Sequence, residues 1–273
     1  EILNPVLDSE PAILPPRAVI GMLHVPALPG APRNQLSWPD IQRFVEHDAA
    51  TLAAGGVHAL MIENFGDTPF YPNRVPVQTI AFLSVLARQV TQAYPHLPLG
   101  INVLRNDGPA ALAIAEATGA RFVRINVYSG ARVADQGLLS GEAHFVQALR
   151  CQLGSQVAVF ADVQVKHSAP LGAERPLEDD IEDTVLRAGA SGIIISGSAT
   201  GKPTSLADVR RARRAAAGAK VLVGSGVAAS NIRSFLRVAD AVIVGSSLKQ
   251  NGRVENPVEL SRVRRLIQAA SRL

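Results

Sequence analysis

The sequence predicts an α/β fold, a single-domain (β/α)8 TIM barrel, and three observations carry that expectation. Short runs rich in Val and Ile recur eight times, separated by segments of helical pattern. Glycine-bearing stops stand just before several runs, in "AAGGVHAL", "ATGARFV" and "RAGASGIII", where a helix end hands over to a parallel strand. The chain has 273 residues, 47% of them hydrophobic, and α/β barrels of about this size form one unit.

Taken in order, the runs are "RAVIGMLHV" (17–25), "VHALMIEN" (57–64), "LPLGINVL" (97–104), "RFVRINV" (121–127), "VAVFADVQV" (157–165), "GIIIS" (192–196), "KVLVGSG" (220–226) and "DAVIVGSS" (240–247). Between them, "WPDIQRFVEHDAATLAAGG", "VPVQTIAFLSVLARQVTQAY" and "GPAALAIAEATGA" read as helices, and "NPVELSRVRRLIQAA" closes the set. An open doubly wound sheet also uses such units. Yet no glycine-rich dinucleotide fingerprint follows the first strand, and a count of eight favours closure. Residues 1–16, with Pro5, Pro11, Pro15 and Pro16, read as a leader on the barrel surface, and 17–273 as the barrel.

Composition narrows the function classes. No apolar run approaches the roughly 20 residues that cross a bilayer, and the acidic, Pro-interrupted "EILNPVLDSE" does not read as a secretory signal. A single cysteine, Cys151, fits a reducing cytoplasm, and its helical context "FVQALRCQL" predicts a packing residue. The formal charge of +4 concentrates in "RRARR", Arg210 to Arg214. Few aromatic rings accompany these cations, so a solvated helix face is expected rather than a nucleic-acid platform. A positive balance also suits an anionic small substrate.

In a barrel, the C-terminal strand ends form the active-site mouth. Those ends are polar here: His24, then Glu63 and Asn64, then Asn102 leading into Arg105. Strand four alternates Arg124, Asn126 and Tyr128 with apolar residues, and strand five alternates Asp162, Gln164 and Lys166 likewise. Period-two spacing puts each polar set on one face, and the helices cover the other, so the polar face is expected in the lumen. Charges buried there are costly unless they pair with each other or bind something. Glu63 and Asp162 are the expected acid/base pair, with Lys166 as charge compensation or a Schiff-base amine. His24, Asn64, Asn102, Arg124, Asn126, Gln164 and Ser196 are expected to bind substrate.

The loops after strands six to eight supply the rest. "SGSATGKPT" (196–204) looks like a nucleotide loop, but three residues, not four, separate its glycines, and Pro203 stands where a Mg²⁺-binding hydroxyl should follow Lys202. Thr200 and Lys202 are instead expected to reach over the mouth. Gly224, Ser225 and Gly226 follow strand seven, and Gly245 and Ser246 follow strand eight. Barrels that bind phosphorylated sugars often hold phosphate on backbone N–H groups at these two loops.

The segments "IGMLHVPALPGAP", "GGVHALMIENFGDTPF", "GINVLRND", "RFVRINVYSG", "ADVQVKHS", "SGSATGKPT" and "VGSGVAASNI" together resemble the BtpA/SgcQ family from about Val19 to Ala270. The resemblance implies a barrel related to the ribulose-phosphate-binding group. It brings no catalytic residues, and it links a cyanobacterial member to photosystem I accumulation at the thylakoid membrane.

The functional expectation is an enzyme acting on a phosphorylated sugar or ribose-phosphate derivative, with a slight preference for glycosyl or phosphoribosyl transfer or hydrolysis. Epimerisation and aldol cleavage remain alternatives. A non-catalytic assembly factor making peripheral membrane contact is the competing class. No metal ligand set is assigned, because Glu63, Asp67, Asp162, His24 and His167 lack zinc spacing. A weakly held Mg²⁺ beside a phosphate would need only one or two carboxylates. No nucleic-acid partner and no transmembrane segment are expected, and a homo-oligomer is.

Overall fold

A computed structural model describes residues 13–165, 167–197 and 204–271. Its strands, in chain order, are β1 (Ala18–His24), β2 (Ala59–Glu63), β3 (Leu99–Asn102), β4 (Phe122–Ile125), β5 (Ala131–Ala134), β6 (Gly137–Ser140), β7 (Ala158–Val163), β8 (Ser168–Pro170), β9 (Gly192–Ile195), β10 (Lys220–Val223) and β11 (Ala241–Val244). Eight of them close as a parallel ring in the order β1-β11-β10-β9-β7-β4-β3-β2. Each of the eight apolar runs contains one ring strand.

The helices are α1 (Trp38–Gly55), α2 (Val77–Ala93), α3 (Gly108–Thr118), α4 (Ala143–Leu153), α5 (Leu177–Glu182), α6 (Leu206–Ala215), α7 (Ile232–Leu236) and α8 (Leu260–Ala270). Local chemistry sets their ends. Ser37 caps α1 by accepting from the Asp40 N–H at 3.3 Å, and Gly56 terminates it in the left-handed region at φ 89°. Asp107 caps α3 by accepting from the Ala110 N–H at 3.1 Å.

Strand alternation sorts the core into two compartments. Outward-facing Val19, Ile62, Ile101, Val123, Val159, Ile193, Val221 and Val242 pack under the helices. Inward-facing Ile20, Met22, Met61, Phe122, Phe160, Ile194, Leu222 and Ile243 fill the lower lumen, and Ile13 and Leu14 pack against that cluster. A Cβ on Gly100 would lie 2.1 Å from the Phe122 ring, so glycine at this site lets the phenyl group fill the barrel.

Four expectations change. The hairpin β5–β6 and the short strand β8 form a three-stranded antiparallel sheet outside the ring, which was not foreseen. Cys151 is exposed, not a packing residue. Tyr128 lies beyond the end of β4, among the outer core, and its hydroxyl donates to the Ala188 carbonyl at 3.0 Å. Gln164 takes a left-handed φ of 54°, so the alternation that was to carry it into the lumen stops at Val163. On α6, Arg210, Arg213 and Arg214 are exposed, and Arg211 forms a bidentate pair with Glu178 at 2.9 and 2.8 Å.

Candidate functional site

Parallel register assembles a polar layer directly above the apolar plug. His24 lies beside Glu63, Glu63 beside Asn102, and Asn102 beside Arg124, across four adjacent strands. His24, Glu63 and Arg124 each stand two residues beyond a lumen-filling Met22, Met61 or Phe122, and Asn102 two beyond Gly100, whose missing side chain gives way to the Phe122 ring, so all four side chains turn inward.

Asp162 anchors this layer. Arg124 donates through Nε to Oδ2 and through Nη2 to Oδ1, both at 2.9 Å. Asn126 Nδ2 donates to Oδ2 at 2.8 Å, and Ser196 Oγ donates to Oδ1 at 3.2 Å. Four donors occupy the acceptor capacity of one carboxylate. Burial, the largest influence on Arg124, opposes its charge. Asp162 and Glu63 outweigh it and hold the guanidinium above its ordinary value. Arg105 lies in the same field, and there burial wins, lowering its pKa against the pull of Asp162 and Glu63.

Above the layer opens a cavity of about 370 Å³. Its walls include His24, Glu63, Arg124 and Asn126, together with Gly224, Ser225, Gly226, Gly245 and Ser246 from the last two loops. Arg105, read from the sequence as following the polar end of β3, lines it too, and so do Phe65, Phe70, Asp135, Gln136 and His167, which sequence reasoning did not assign to the site. Two of the glycines are there for space. A Cβ on Gly224 would meet Ser196 Oγ at 2.6 Å, and one on Gly245 would meet His24 Cε1 at 2.6 Å. The loop after β10 is braced on three sides. Gly197 N–H donates to Ser225 Oγ at 2.7 Å, Asn231 Nδ2 donates to the Gly226 carbonyl at 2.8 Å, and Ser247 Oγ donates to the Val227 carbonyl at 2.7 Å.

Several expected substrate contacts lie elsewhere. Asn64 is consumed by the framework: its Oδ1 accepts from the Leu104 N–H at 2.7 Å, and its Nδ2 donates to Asp67 Oδ2 at 3.1 Å. Asp67 in turn accepts from the Leu28 N–H at 2.8 Å, and burial raises its pKa. This pair ties together the loops after β1, β2 and β3. Asn102 lies below the cavity, donating through Nδ2 to the Arg124 carbonyl at 3.0 Å. Ser196 and Gln164 line a neighbouring recess, on the far side of the Asp162 network. Lys166, Thr200 and Lys202 lie outside the described residues. Among the described residues, no group of three or more His, Cys, Asp or Glu side chains could hold a metal ion, and no helix is long and apolar enough to cross a membrane.

The comparisons agree with this architecture. N-(5'-phosphoribosyl)anthranilate isomerase from Pyrococcus furiosus shares the fold at a TM-score of 0.57 and 13% identity, over 94% of this chain and 100% of that one. The 3-keto-L-gulonate-6-phosphate decarboxylase of Vibrio cholerae does so at 0.56 and 11%, over 94% and 99%. An uncharacterized protein of Thermococcus kodakarensis is 42% identical over 94% of this chain and 96% of its own length. The photosystem I biogenesis protein BtpA of Synechocystis is also 42% identical, over 92% and 87%. The BtpA family model matches residues 16–272, and the chain belongs to that family.

Proposed function

We propose that the chain is an enzyme acting on a phosphorylated sugar or ribose-phosphate derivative, with glycosyl or phosphoribosyl transfer or hydrolysis as the preferred reaction class. One observation carries this reading. An open cavity at the C-terminal end of the barrel joins two glycine-bearing loops to a buried arginine and a buried carboxylate. In the proposal, backbone N–H groups of Ser225–Val227 and Gly245–Ser246 hold the phosphate, as glycine loops at these barrel positions can, while the Gly224 N–H donates to the Ile195 carbonyl at 2.8 Å.

Arg124 faces the ligand as a donor whose direction is set by Asp162. Because Asp162 already accepts four hydrogen bonds, Glu63 is the better acid/base group, and Asp162 acts by positioning Arg124. His24 flanks Glu63 across the β1–β2 register.

The assembly-factor reading draws on the Synechocystis relative. The equally similar relative in Thermococcus kodakarensis is named only as an uncharacterized protein and adds nothing to that reading.

The test is a thermal-melt and calorimetric panel of ribose 5-phosphate, hexose phosphates, inorganic phosphate and unphosphorylated ribose. Phosphorylated ligands are expected to raise Tm where ribose does not, since a ligand at 100 times its Kd adds about 2.7 kcal/mol. A panel in which phosphorylated and unphosphorylated sugars are equally inert would sink the proposal.

A further inference from the structure

One wall of the cavity plays no part in holding phosphate. Around the ring, β3 and β4 stand opposite β10 and β11, so the loops after them face the glycine-bearing pair across the mouth. The hairpin that follows β4 carries Asp135 and Gln136 at its two-residue turn, between Ala134 and Gly137, and both line the cavity. Gly137, at φ 99°, supplies the left-handed residue that closes this turn. The hairpin is held firmly. Strand β8 pairs along the other edge of β5, and Arg132 Nε donates to Ser168 Oγ at 2.6 Å.

Gln136 Nε2 donates to Asp135 Oδ2 at 2.6 Å, which sets the orientation of the amide. Its other end, Oε1, is screened from solvent and has no hydrogen-bond partner among the described residues. A screened acceptor without a donor is costly, and such groups usually have a reason to persist. The Asp135 carboxylate, a second acceptor, stands beside it, and its charge acts on Arg105 in the next loop. Two acceptors at the end of a cavity opposite its anion-holding loops fit a ligand whose far end carries donors.

We propose that Asp135 and Gln136 are specificity-determining residues, accepting hydrogen bonds from the hydroxyl-bearing end of a sugar whose phosphate lies across the mouth. This assignment rests on the phosphate reading and adds which end of the ligand is discriminated. The hairpin therefore selects among phosphorylated ligands according to their hydroxyl groups.

Isothermal titration of the whole chain with inorganic phosphate and with ribose 5-phosphate separates the two claims. The parent is expected to bind ribose 5-phosphate at least about tenfold more tightly than phosphate, since a site with placed acceptors penalises ligands lacking the donors. Asp135→Ala combined with Gln136→Ala is expected to erase that advantage while leaving phosphate affinity within about twofold. Asp135→Asn, which keeps the shape of the turn, gives a smaller loss in the same direction, and melting without ligand checks the fold. If phosphate fails to bind the parent, both readings fall. If phosphate binds but the sugar advantage is absent, or survives in the double variant, the hairpin assignment alone is overturned.

Discussion

Two buried ion pairs hold opposite parts of this molecule, and only one of them faces a cavity. Asp48 of α1 pairs with Lys249, their side chains 1% and 0% exposed, and Asp48 Oδ1 also accepts from the Val258 N–H at 2.7 Å. Phe44 covers the ammonium at 5.3 Å from its ring centroid. Arg124 and Asp162 are almost as deeply buried, at 5% and 1%, yet Arg124 forms part of the cavity wall. Burial pulls the Lys249 pKa down against Asp48, whereas Arg124 is held above its ordinary value. The contrast teaches that a buried charge marks a site only when something else can reach it. Asp48–Lys249 fastens the segment between β11 and α8 onto α1, and the same chemistry at the mouth leaves one face for a ligand.

That contrast can be broken most forcefully by deleting one partner of each pair. Lys249→Met strands Asp48 away from water and is expected to cost about 3–5 kcal/mol in urea unfolding, with ligand binding by the remaining folded protein unchanged. Arg124→Met is expected to cost less, roughly 1–3 kcal/mol, because Asp162 keeps Asn126 and Ser196 and lies next to an open cavity. Binding of phosphorylated ligands should nevertheless drop sharply. Equal stability losses with equal binding losses would dissolve the distinction.

A second test confines itself to the mouth. Gly226 sits at φ 69°, where a β-branched side chain is strained, so Gly226→Val is expected to cost about 1–2 kcal/mol. The variant should weaken binding of phosphorylated ligands while sparing unphosphorylated ones in competition titrations.

The smallest effect lies at the opposite end of the barrel. His58 Nδ1 accepts the Val19 N–H at 3.1 Å, and burial lowers its pKa. A lowered folded-state pKa means the unfolded chain binds more protons, so this contribution is present above the unfolded value near 6.5 and fades as pH falls through the folded value. His58→Asn should flatten the stability profile between about pH 7.5 and 5, relative to the parent, and leave the mouth untouched.

Much of the architecture could be read from residue patterns because β-branched runs between glycine-stopped helices have few other uses. The five loop residues Gly224, Ser225, Gly226, Gly245 and Ser246 likewise come together at one cavity, since each follows a ring strand directly. Legibility failed where the chain leaves the ring. "ARVADQGLLS" holds two four-residue strands around a two-residue turn, but its mixed polarity suits a sheet lying outside the core and gives a weak signal. Period-two reasoning placed Asp162 correctly on the inner face and misplaced Gln164, because the backbone turns one residue after Val163. Asn64 bonds to the loop framework, which its strand-end position alone does not reveal. A buried amide at a strand end serves a loop framework as well as a ligand, and only the positions of Leu104 and Asp67 decide between them.

The ring is sealed by the first strand of the chain meeting the last, β1 lying between β2 and β11. Asp48 reinforces that seam with partners 201 and 210 residues away. Until residues beyond 240 have been synthesised, β1 has a neighbour on one side only, and its opposite edge presents unsatisfied backbone groups. A nascent chain of this design must therefore shield a sticky margin until β11 emerges, which makes the arrival of that strand the step that turns an aggregation hazard into a closed ring.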